Sequence, residues 1–427
     1  MGPTGGYHLP PMHSLLPDAP LPVGGDAGHR QPVLDLSDPR WASDPFAIYA
    51  ELRERDPIHR NDAAGMWVLS RHADCLAVLR DRRSSSDSGT SDSPLSGPMS
   101  EAFLEMRPFL FLDPPDHTRL RGLVAKAFTP RVVEALRPRV QAVVDDLLDA
   151  AIEQDRVDLT EALGYPLPVR IICELLGVPA EDELLFRAWS DALARGFDPS
   201  FLLTDDVVAA RTEAVTQFAE YFGGLLADRR RTPGDDLLSR LVDVEDDGTV
   251  LSEPELLATC ILLLAAGHGT TVNLITGGAL ALLEHPDQMA ILRADPSTVR
   301  SAVEEMLRYV SPVQLTGRYM SEDMELGDTV LSAGDFAILL LASANRDAAA
   351  FDRPDAFDIR RTPNNHLGMG FGIHHCLGAP LARLEAQVAF TELARRAPEL
   401  TLDSDPVRFS GTLVLRSIES LPVRFRG

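Results

Sequence analysis

A glycine-rich segment near the C-terminal end of the chain surrounds one cysteine. Cys376 lies in the run His366-Leu-Gly-Met-Gly-Phe-Gly-Ile-His-His-Cys-Leu-Gly378. Glycine permits tight backbone turns and the close approach of a flat ligand. A helix-like stretch follows the thiol, and the free N–H groups and dipole at a helix start favour the thiolate. The local chemistry therefore predicts a metal-bound thiolate on a glycine-lined platform.

Two other interpretations of Cys376 need to be weighed. A single cysteine before an amphipathic helix is often a small buried hydrophobic residue. Zinc is a second alternative, because His374 and His375 precede the thiol. Structural zinc sites, however, use spaced pairs of ligands. The other three cysteines stand alone in the sequence: Cys75, Cys173 and Cys260.

A thiolate is also an axial ligand of haem iron, which it supplies with electron density for cleaving the O–O bond.

The segment Gly370–Gly378 resembles the haem-binding loop of the cytochrome P450 family, the haem-thiolate monooxygenases. That family normally has Phe where this chain has Met369, and Met can also pack against sulfur or porphyrin. The similarity extends from roughly residue 34 to the C-terminus. It implies that Cys376 is the axial ligand of haem b and that Gly370 and Gly372 belong to the cofactor-binding loop.

A second segment, Ala266-Gly-His-Gly-Thr270-Thr271, lies in a long apolar helical stretch. Glycine in a helix interior costs about 1 kcal/mol relative to Ala, which indicates local loosening or close packing. A Thr hydroxyl there can bond to a carbonyl four residues earlier and bend the helix. The segment resembles the family's oxygen-activation stretch, in which an acid and a Thr relay protons to dioxygen. Thr270 matches the Thr, whereas Gly269 occupies the position of the acid.

Glu305 and Arg308 have the i,i+3 spacing that places two charges on one face of a helix. Alone, such a pair is usually an ordinary surface ion pair. It resembles the family's Glu-x-x-Arg pair, for which Arg361 matches the third member, with Arg360 as the neighbouring alternative. The resemblance implies a structural triad that holds the segment carrying the cysteine loop.

Four basic residues match the family's contacts to the haem propionates. His117 and Arg121 lie at i,i+4 on one predicted helix, while Arg318 and His374 come from later segments. Each alone is more often a solvated charge. Together with the cysteine loop they favour cofactor contacts, and His268, His285 and His366 are left as structural or solvent-facing.

The pattern of predicted elements indicates a mainly α fold with small β-sheets. Helices are predicted at about 117–127, 131–154, 165–176, 180–195, 205–230, 235–244, 252–284 and 297–310, and after Cys376. The start at 252 rests on a capping box, Ser252-Glu-Pro-Glu255. Strands are predicted near 313–331 and 335–341, with short hairpins at 398–426. The resemblance implies the cytochrome P450 fold, with haem between the long central helix and the cysteine loop and its helix.

Composition limits the domain organisation and the partners. Residues 1–33 are rich in Gly, Pro and His and are expected to be a disordered lead-in, and residues 34–427 to form one haem-thiolate monooxygenase domain. The net charge is −24, from 40 basic and 64 acidic residues. This balance argues against nucleic acid and anionic membranes as partners. Isolated cysteines suggest a reducing compartment, and the longest candidate span, Leu256 to Ala266, is too short to cross a bilayer. A cytoplasmic protein without a membrane anchor is therefore expected.

One stretch of the chain departs from this acidic balance. Residues 107–139 contain seven basic residues and three acidic ones, a local excess of +4. Such an island would steer an acidic ferredoxin by electrostatics, at a rate that falls as salt rises. No flavin or nicotinamide domain fits in the remaining chain, so electrons are expected from separate proteins. The alternative is a solvated helix face.

The resemblance also places the substrate-contacting segments. Their residues are mostly apolar, which predicts an apolar, medium-sized organic substrate bound by shape. The candidate pocket residues are Phe103, Phe109, Leu263, Val313, Leu315, Leu413 and Val414. Insertion of one oxygen atom from O2 into a C–H bond is the leading function, and the expected substrates are secondary metabolites or steroid-like compounds. Oxidative coupling or ring closure without oxygen insertion is the alternative, and a non-catalytic haem sensor or carrier is a more distant one.

Overall fold

The computed structural model describes residues 40–62, 64–87, 106, 108–195, 198, 203–246, 248–410 and 412–426. The predicted lead-in at 1–33 lies outside these residues, as do Phe103 and Arg107.

Helices make up most of the described chain, which confirms the mainly α prediction. They are α1 Arg40–Ser43, α2 Phe46–Arg55, α3 His72–Arg80, α4 Asp116–Ala127, α5 Pro130–Ala135, α6 Arg137–Gln154, α7 Pro166–Leu175, α8 Glu183–Arg195, α9 Asp205–Arg231, α10 Leu237–Asp243, α11 Glu253–Gly267, α12 Gly269–Glu284, α13 Pro286–Ala294, α14 Val299–Tyr309, α15 Leu341–Ala344 and α16 Ala379–Arg396. Short 3₁₀ or π turns lie at Phe109–Phe111, Thr160–Gly164, Ala180–Asp182, Pro296–Thr298 and Gly372–His374.

The strands are short and form small sheets. They are β1 Ile58–Asn61, β2 Met66–Leu69, β3 Ser84–Ser85, β4 Arg156–Asp158, β5 Glu245–Asp246, β6 Thr249–Val250, β7 Thr316–Met320, β8 Met324–Leu326, β9 Thr329–Leu331, β10 Phe336–Leu339, β11 Thr401–Leu402, β12 Arg408–Phe409, β13 Ile418–Ser420 and β14 Pro422–Arg424. The largest sheet has the order β1-β2-β10-β7-β3, in which β2 and β10 are parallel. A second has the order β11-β14-β4, and the remaining strands pair in twos.

The long apolar stretch at 253–284 forms the centre of the helical core. It is long and apolar enough to cross a bilayer, but 72% of its most apolar window is buried inside the protein. A buried helix of this kind is a core helix, because its apolar surface already faces other protein elements. Its start is the predicted one, since the Glu255 carboxylate accepts a hydrogen bond from the Ser252 N–H (2.8 Å).

Two predicted helices are each divided in the structure. The predicted helix 131–154 breaks at Leu136, between α5 and α6. The predicted helix 252–284 breaks at His268, where ψ is −76°, between α11 and α12. The hydroxyl of Thr270 donates to the Ala266 carbonyl (2.7 Å), the bond expected to bend this helix. Residues 266–270 therefore form a bend where α11 ends and α12 begins.

Candidate active site

The cysteine loop is a tight turn whose shape depends on two glycines. Gly370 and Gly372 have φ of +68° and +71°, a region that favours glycine. The Cys376 N–H donates to the Met369 carbonyl (2.9 Å), which closes the loop. The thiol lies just before α16, whose N-cap is Gly378. The loop therefore presents one thiol at the start of a helix, as the spacing predicts.

Neighbouring helices hold this loop by contacts that allow no side chain. A Cβ on Gly372 would lie 2.7 Å from the Leu79 carbonyl oxygen of α3. A Cβ on Gly368 would lie 2.6 Å from the Leu307 carbonyl oxygen of α14. The Leu367 N–H donates to the Asn345 side chain (2.7 Å). The glycines thus set the position of the loop against α3 and α14.

Cys376 differs from the other cysteines in its surroundings. Its side chain is exposed, whereas Cys75, Cys173 and Cys260 are buried. Desolvation by nearby protein atoms nevertheless raises the pKa of Cys376, since an accessible thiol in a cleft is still poorly hydrated. The backbone N–H groups of Gly378 and Ala379 oppose this rise. The helix start therefore favours the thiolate, as expected, but desolvation outweighs its contribution, and a bound metal would have to supply the difference.

Four basic side chains gather beside the loop. The rings of His117 and His374 lie 4.3 Å apart between centroids. Burial and the charges of Arg318, His117 and Arg121 lower the pKa of His374 to about 3. Burial also lowers the pKa of Arg318, to about 10. Arg121 donates to the His375 carbonyl. The cluster therefore brings together all four residues that the sequence nominated, on α4, β7 and the cysteine loop.

This cluster lacks the partners that buried polar groups normally have. Both ring nitrogens of His117 and of His374 are buried without a hydrogen-bond partner. Arg318 is 8% exposed and donates to two neutral oxygens, of Thr316 and Gly317. Such groups are costly to bury unpaired. They fit an anionic ligand with several acceptor oxygens, which is what the two carboxylates of haem would provide.

The structure assembles the three charges of the predicted triad in a buried site. Arg308 and Glu305 are fully buried and form two hydrogen bonds, each 2.8 Å long. Arg361, and not Arg360, donates to Glu305 (3.0 Å). Arg308 also donates to the carbonyls of Asn345 (2.8 Å) and Pro354 (2.6 Å). The network thereby links α14 to the segment 345–361 that leads into the cysteine loop.

The histidine at the bend between α11 and α12 lies in the protein interior. His268 is completely buried, and its Nδ1 lies 2.8 Å from the Ser190 hydroxyl. Burial lowers the pKa of His268 to about 4, so the ring is neutral at pH 7. His285 bonds to the Ala281 carbonyl and His366 to Glu304, so all three are structural.

Gly269 faces open space rather than a packed neighbour. A Cβ added there would meet no atom within 4 Å. By contrast, a Cβ on Gly278 in the same helix would lie 2.6 Å from the Phe390 ring. The missing acid at position 269 is therefore not imposed by packing.

One face of the central helix is exposed although its surroundings are buried. Between residues 256 and 279, Ala266 is the one exposed residue, and Leu263, Gly267 and Thr270 are half-buried. Their spacing of three and four residues places them on one face. This face of the central helix is therefore not covered by other parts of the described chain.

The candidate pocket residues are spread over three hydrophobic clusters. Phe109 and Leu263 belong to the largest, Leu315, Leu413 and Val414 to a second, and Val313 to a third. Phe109 lies next to the His117 ring, at 6.3 Å between centroids. Phe103 lies outside the described residues. Their role in binding substrate stays a prediction.

The basic island is more neutral in the structure than in the sequence. Arg119 pairs with Glu255 and Arg139 with Glu174, two acids from outside residues 107–139. Within the island, Arg137 pairs with Glu134. Counting the two outside acids lowers the local excess from +4 to +2. Sequence counting missed these partners because they come from distant segments.

A second ionic group behind the cysteine loop was also missed. Glu304 accepts hydrogen bonds from Arg383 (2.6 Å) and from His366 (3.1 Å). Burial acts to raise the pKa of Glu304, but these bonds outweigh it and lower the pKa to about 2. Arg383 lies on α16 seven residues after Cys376, a spacing that carries no recognisable sequence signal.

The fold and these groups together define a haem-thiolate enzyme, and comparison with known proteins agrees. A sequence model of the family named Cytochrome P450 matches residues 68–396. The chain therefore belongs to the cytochrome P450 family, whose cofactor is haem bound through a thiolate. It is a P450 monooxygenase of the bacterial type.

Particular relatives are similar over nearly their whole length. The cytochrome P450 monooxygenase PikC of Streptomyces venezuelae is 46% identical, over 92% of this chain and 95% of that protein. The 6-deoxyerythronolide B hydroxylase of Saccharopolyspora erythraea is 38% identical, over 92% of this chain and 99% of that protein. Among solved structures, P450BioI in complex with an acyl carrier protein has a TM-score of 0.85 at 36% identity, over 91% of this chain and 99% of that chain.

Proposed function

We propose that this protein inserts one oxygen atom from O2 into a C–H bond of an apolar, medium-sized organic molecule, with haem b as cofactor and Cys376 as its axial ligand. The observation that carries the proposal is the accessible thiol on a glycine-shaped loop beside four basic groups, two of them imidazoles without partners. One sulfur ligand and a basic cluster for two carboxylates are what haem requires from a protein.

Haem held in this way would supply dioxygen activation. The residues of the chain would bind and orient the cofactor, support the cysteine loop and transfer protons. His117, Arg121, Arg318 and His374 would hold the propionates and fix the orientation of the cofactor. The Glu305–Arg308–Arg361 triad would keep the cysteine loop in place. Thr270, on the exposed face of the central helix, would hold and pass protons at its hydroxyl.

A polyketide-derived or similar secondary metabolite is the substrate class that we favour. The name of one relative describes hydroxylation of 6-deoxyerythronolide B, and the pocket candidates here are largely apolar. Apolar pockets with few polar groups bind by shape. Oxidative coupling or ring closure is the second candidate function, because Gly269 removes the usual acid that insertion chemistry employs. A non-catalytic sensor or carrier has no observation in its favour.

The test begins with a substrate library screened for shifts in the haem spin state. Each molecule that binds is then turned over under isotopically labelled dioxygen. If oxygen insertion is the function, the product will contain the oxygen isotope. Unlabelled product with a new ring or bond would favour the coupling alternative, and an absence of any turnover with all binders would favour the sensor.

Gly269→Glu should increase the fraction of reducing equivalents that reach product. The site has open space for a side chain, and positioned proton transfer contributes about 10²–10⁴-fold in rate. Product formed per electron consumed is the measurement, and Gly269→Gln is the matched control without the acid. Equal coupling in all three proteins would show that the missing acid is unimportant.

A separate ferredoxin is the proposed electron donor, and the cytoplasm the proposed location. The Cys376 loop exposes Ile373, and the exposed Phe371 ring stacks against Arg80 (4.6 Å). The two apolar residues of this patch, Phe371 and Ile373, precede Cys376 by five and three residues. Because the island retains a basic excess of only +2, we expect the reduction rate to fall modestly as salt rises. Ile373→Glu adds repulsion against an acidic ferredoxin at close range, so it should lower the rate at low salt and weaken this salt dependence. A rate that is insensitive to both changes would contradict docking here.

A further inference from the structure

One buried carboxylate binds backbone N–H groups instead of a basic side chain. Asp198, three residues after the end of α8, is 7% exposed. Its carboxylate accepts hydrogen bonds from the N–H groups of Leu413 (3.0 Å) and Val414 (2.9 Å). Burial raises the pKa of Asp198 to about 6, and these two N–H groups oppose the rise only in part. Of the side chains that the structure describes, no basic one neutralises this carboxylate.

The cost of burying Asp198 indicates that its position matters. A buried carboxylate without a cationic partner is unfavourable, and groups perturbed in this way are concentrated at functional sites. Asp198 precedes its two partners by 215 and 216 residues, so these bonds are not the local cap of a turn. They join the chain after α8 to the loop between β12 and β13, which contains Leu413 and Val414.

The same loop is held from a second side by Gln314. The Gln314 N–H donates to the Val414 carbonyl (2.9 Å). Leu315, the next residue, belongs to one hydrophobic cluster with Leu413 and Val414. Both backbone polar groups of Val414 are therefore occupied, one by Asp198 and the other by Gln314. These two contacts set where the apolar side chains of the loop lie.

This cluster borders the strand that carries one of the four basic groups of the site. Leu315 immediately precedes β7, and Arg318 follows it by three residues within that strand. Arg318 is one of the groups proposed to hold the cofactor. Under the proposed function, Leu315, Leu413 and Val414 would therefore form one wall of the substrate pocket.

We infer that Asp198 is a positioning residue of the substrate pocket, whose carboxylate fixes Leu413 and Val414 and thereby limits the length of apolar molecule that the pocket accepts. The inference rests on the proposed function for the place of the pocket. Hydrogen bonds to a charged acceptor are stronger than bonds to a neutral one. A loop held by two of them resists displacement by the end of a long ligand. Asp198 acts through the loop and takes no part in the reaction itself.

The first test measures the two hydrogen bonds without any ligand. Amide hydrogen exchange is followed at Leu413 and Val414 in the purified protein. Both amides should be protected, and Asp198→Ala should speed their exchange by about 10-fold or more, the factor expected for loss of a hydrogen bond to a charged group. Equal exchange rates in the native protein and the variant would overturn the inference.

Asp158→Ala is the matched control. The Asp158 carboxylate also accepts backbone N–H groups, from Thr160 (2.9 Å) and Leu421 (2.9 Å), but neither is a pocket candidate. Its loss should speed exchange at Leu421 and leave Leu413 and Val414 as they are in the native protein. Equal acceleration at Leu413 and Val414 in both variants would show general loosening of the C-terminal segment and would overturn the inference.

The second test measures the length of the pocket. Imidazoles with straight N-alkyl chains of increasing length are titrated into the haem-loaded protein, and the dissociation constant is read from the visible spectrum. Each buried methylene should tighten binding by about 4-fold until the chain meets the wall. In Asp198→Ala the limiting chain should be about two methylenes longer. An imidazole that exceeds the native limit by two methylenes should therefore bind on the order of 10-fold tighter to the variant than to the native protein.

Unsubstituted imidazole is too short to meet the wall and should bind equally to the native protein, Asp198→Ala and Asp158→Ala. The same limiting chain in all three proteins would overturn the inference, as would weaker binding of every imidazole to Asp198→Ala. If Asp198→Ala does not retain haem, Asp198→Asn carries both measurements, because it replaces one of the two acceptor oxygens. Absence of a thiolate-ligated spectrum in the native protein would instead contradict the proposed function, while hydrogen exchange would still test the bonds of Asp198.

Discussion

Exchange of Cys376 for Ser is expected to remove the thiolate signature and oxygen insertion together. The hydroxyl of Ser is a far weaker donor than a thiolate, which supplies the electron density that favours O–O cleavage. The neighbouring N–H groups of Gly378 and Ala379 and the charges of Arg121 and Arg383 stabilise a negative sulfur. In the Ser variant, these groups would face a neutral hydroxyl instead of a negative sulfur. We expect product formation to fall below detection. The assay uses as substrate any molecule that shifts the haem spin state of the native protein.

The control for this exchange is Cys173→Ser. Burial raises the pKa of Cys173 to about 12, so this thiol is neutral and inert. The variant should keep the native spectrum and activity per haem. An unchanged spectrum in Cys376→Ser would show that the cofactor is held by a different ligand.

Loss of Arg361 or Arg308 is expected to prevent haem incorporation. Removing one partner of a buried ion pair leaves an uncompensated charge and costs about 3–5 kcal/mol. That is a large part of the 5–15 kcal/mol by which proteins are typically stable. Glu305 is fully buried, so Arg361→Leu would leave it with Arg308 as its one arginine partner, and the segment before the cysteine loop would lose one of its attachments.

Arg360→Leu is the matched control for this prediction. Arg360 is the exposed neighbour of Arg361, and its backbone N–H bonds to Asp358 (3.1 Å). Haem content per protein and the midpoint of thermal unfolding are the measurements. Similar haem content and similar midpoints in both variants would contradict the structural role of the triad.

Sequence reasoning identified the groups whose chemistry is local. The Cys376 loop was recognisable because its turns need glycine, and two of its glycines have positive φ. Arg361 could be named, with Arg360 as the alternative, because the triad has a fixed spacing on α14 and a third member shortly before the loop. The capping box at Ser252 predicted the start of α11 for the same reason: both partners lie within one turn.

Features that depend on distant contacts could not be predicted in this way. The partners of Arg119 and Arg139 lie in other helices, so counting charges overestimated the basic island. The net direction of the Cys376 pKa shift could not be predicted, because desolvation depends on every atom around the sulfur.

The most direct test of the central claim is the visible spectrum of the reduced, CO-bound native protein. If Cys376 binds haem iron as a thiolate, the Soret band will show the long-wavelength position that gives the family its name. A band at the position typical of histidine-ligated haem, with no long-wavelength component in freshly prepared protein, would contradict the account.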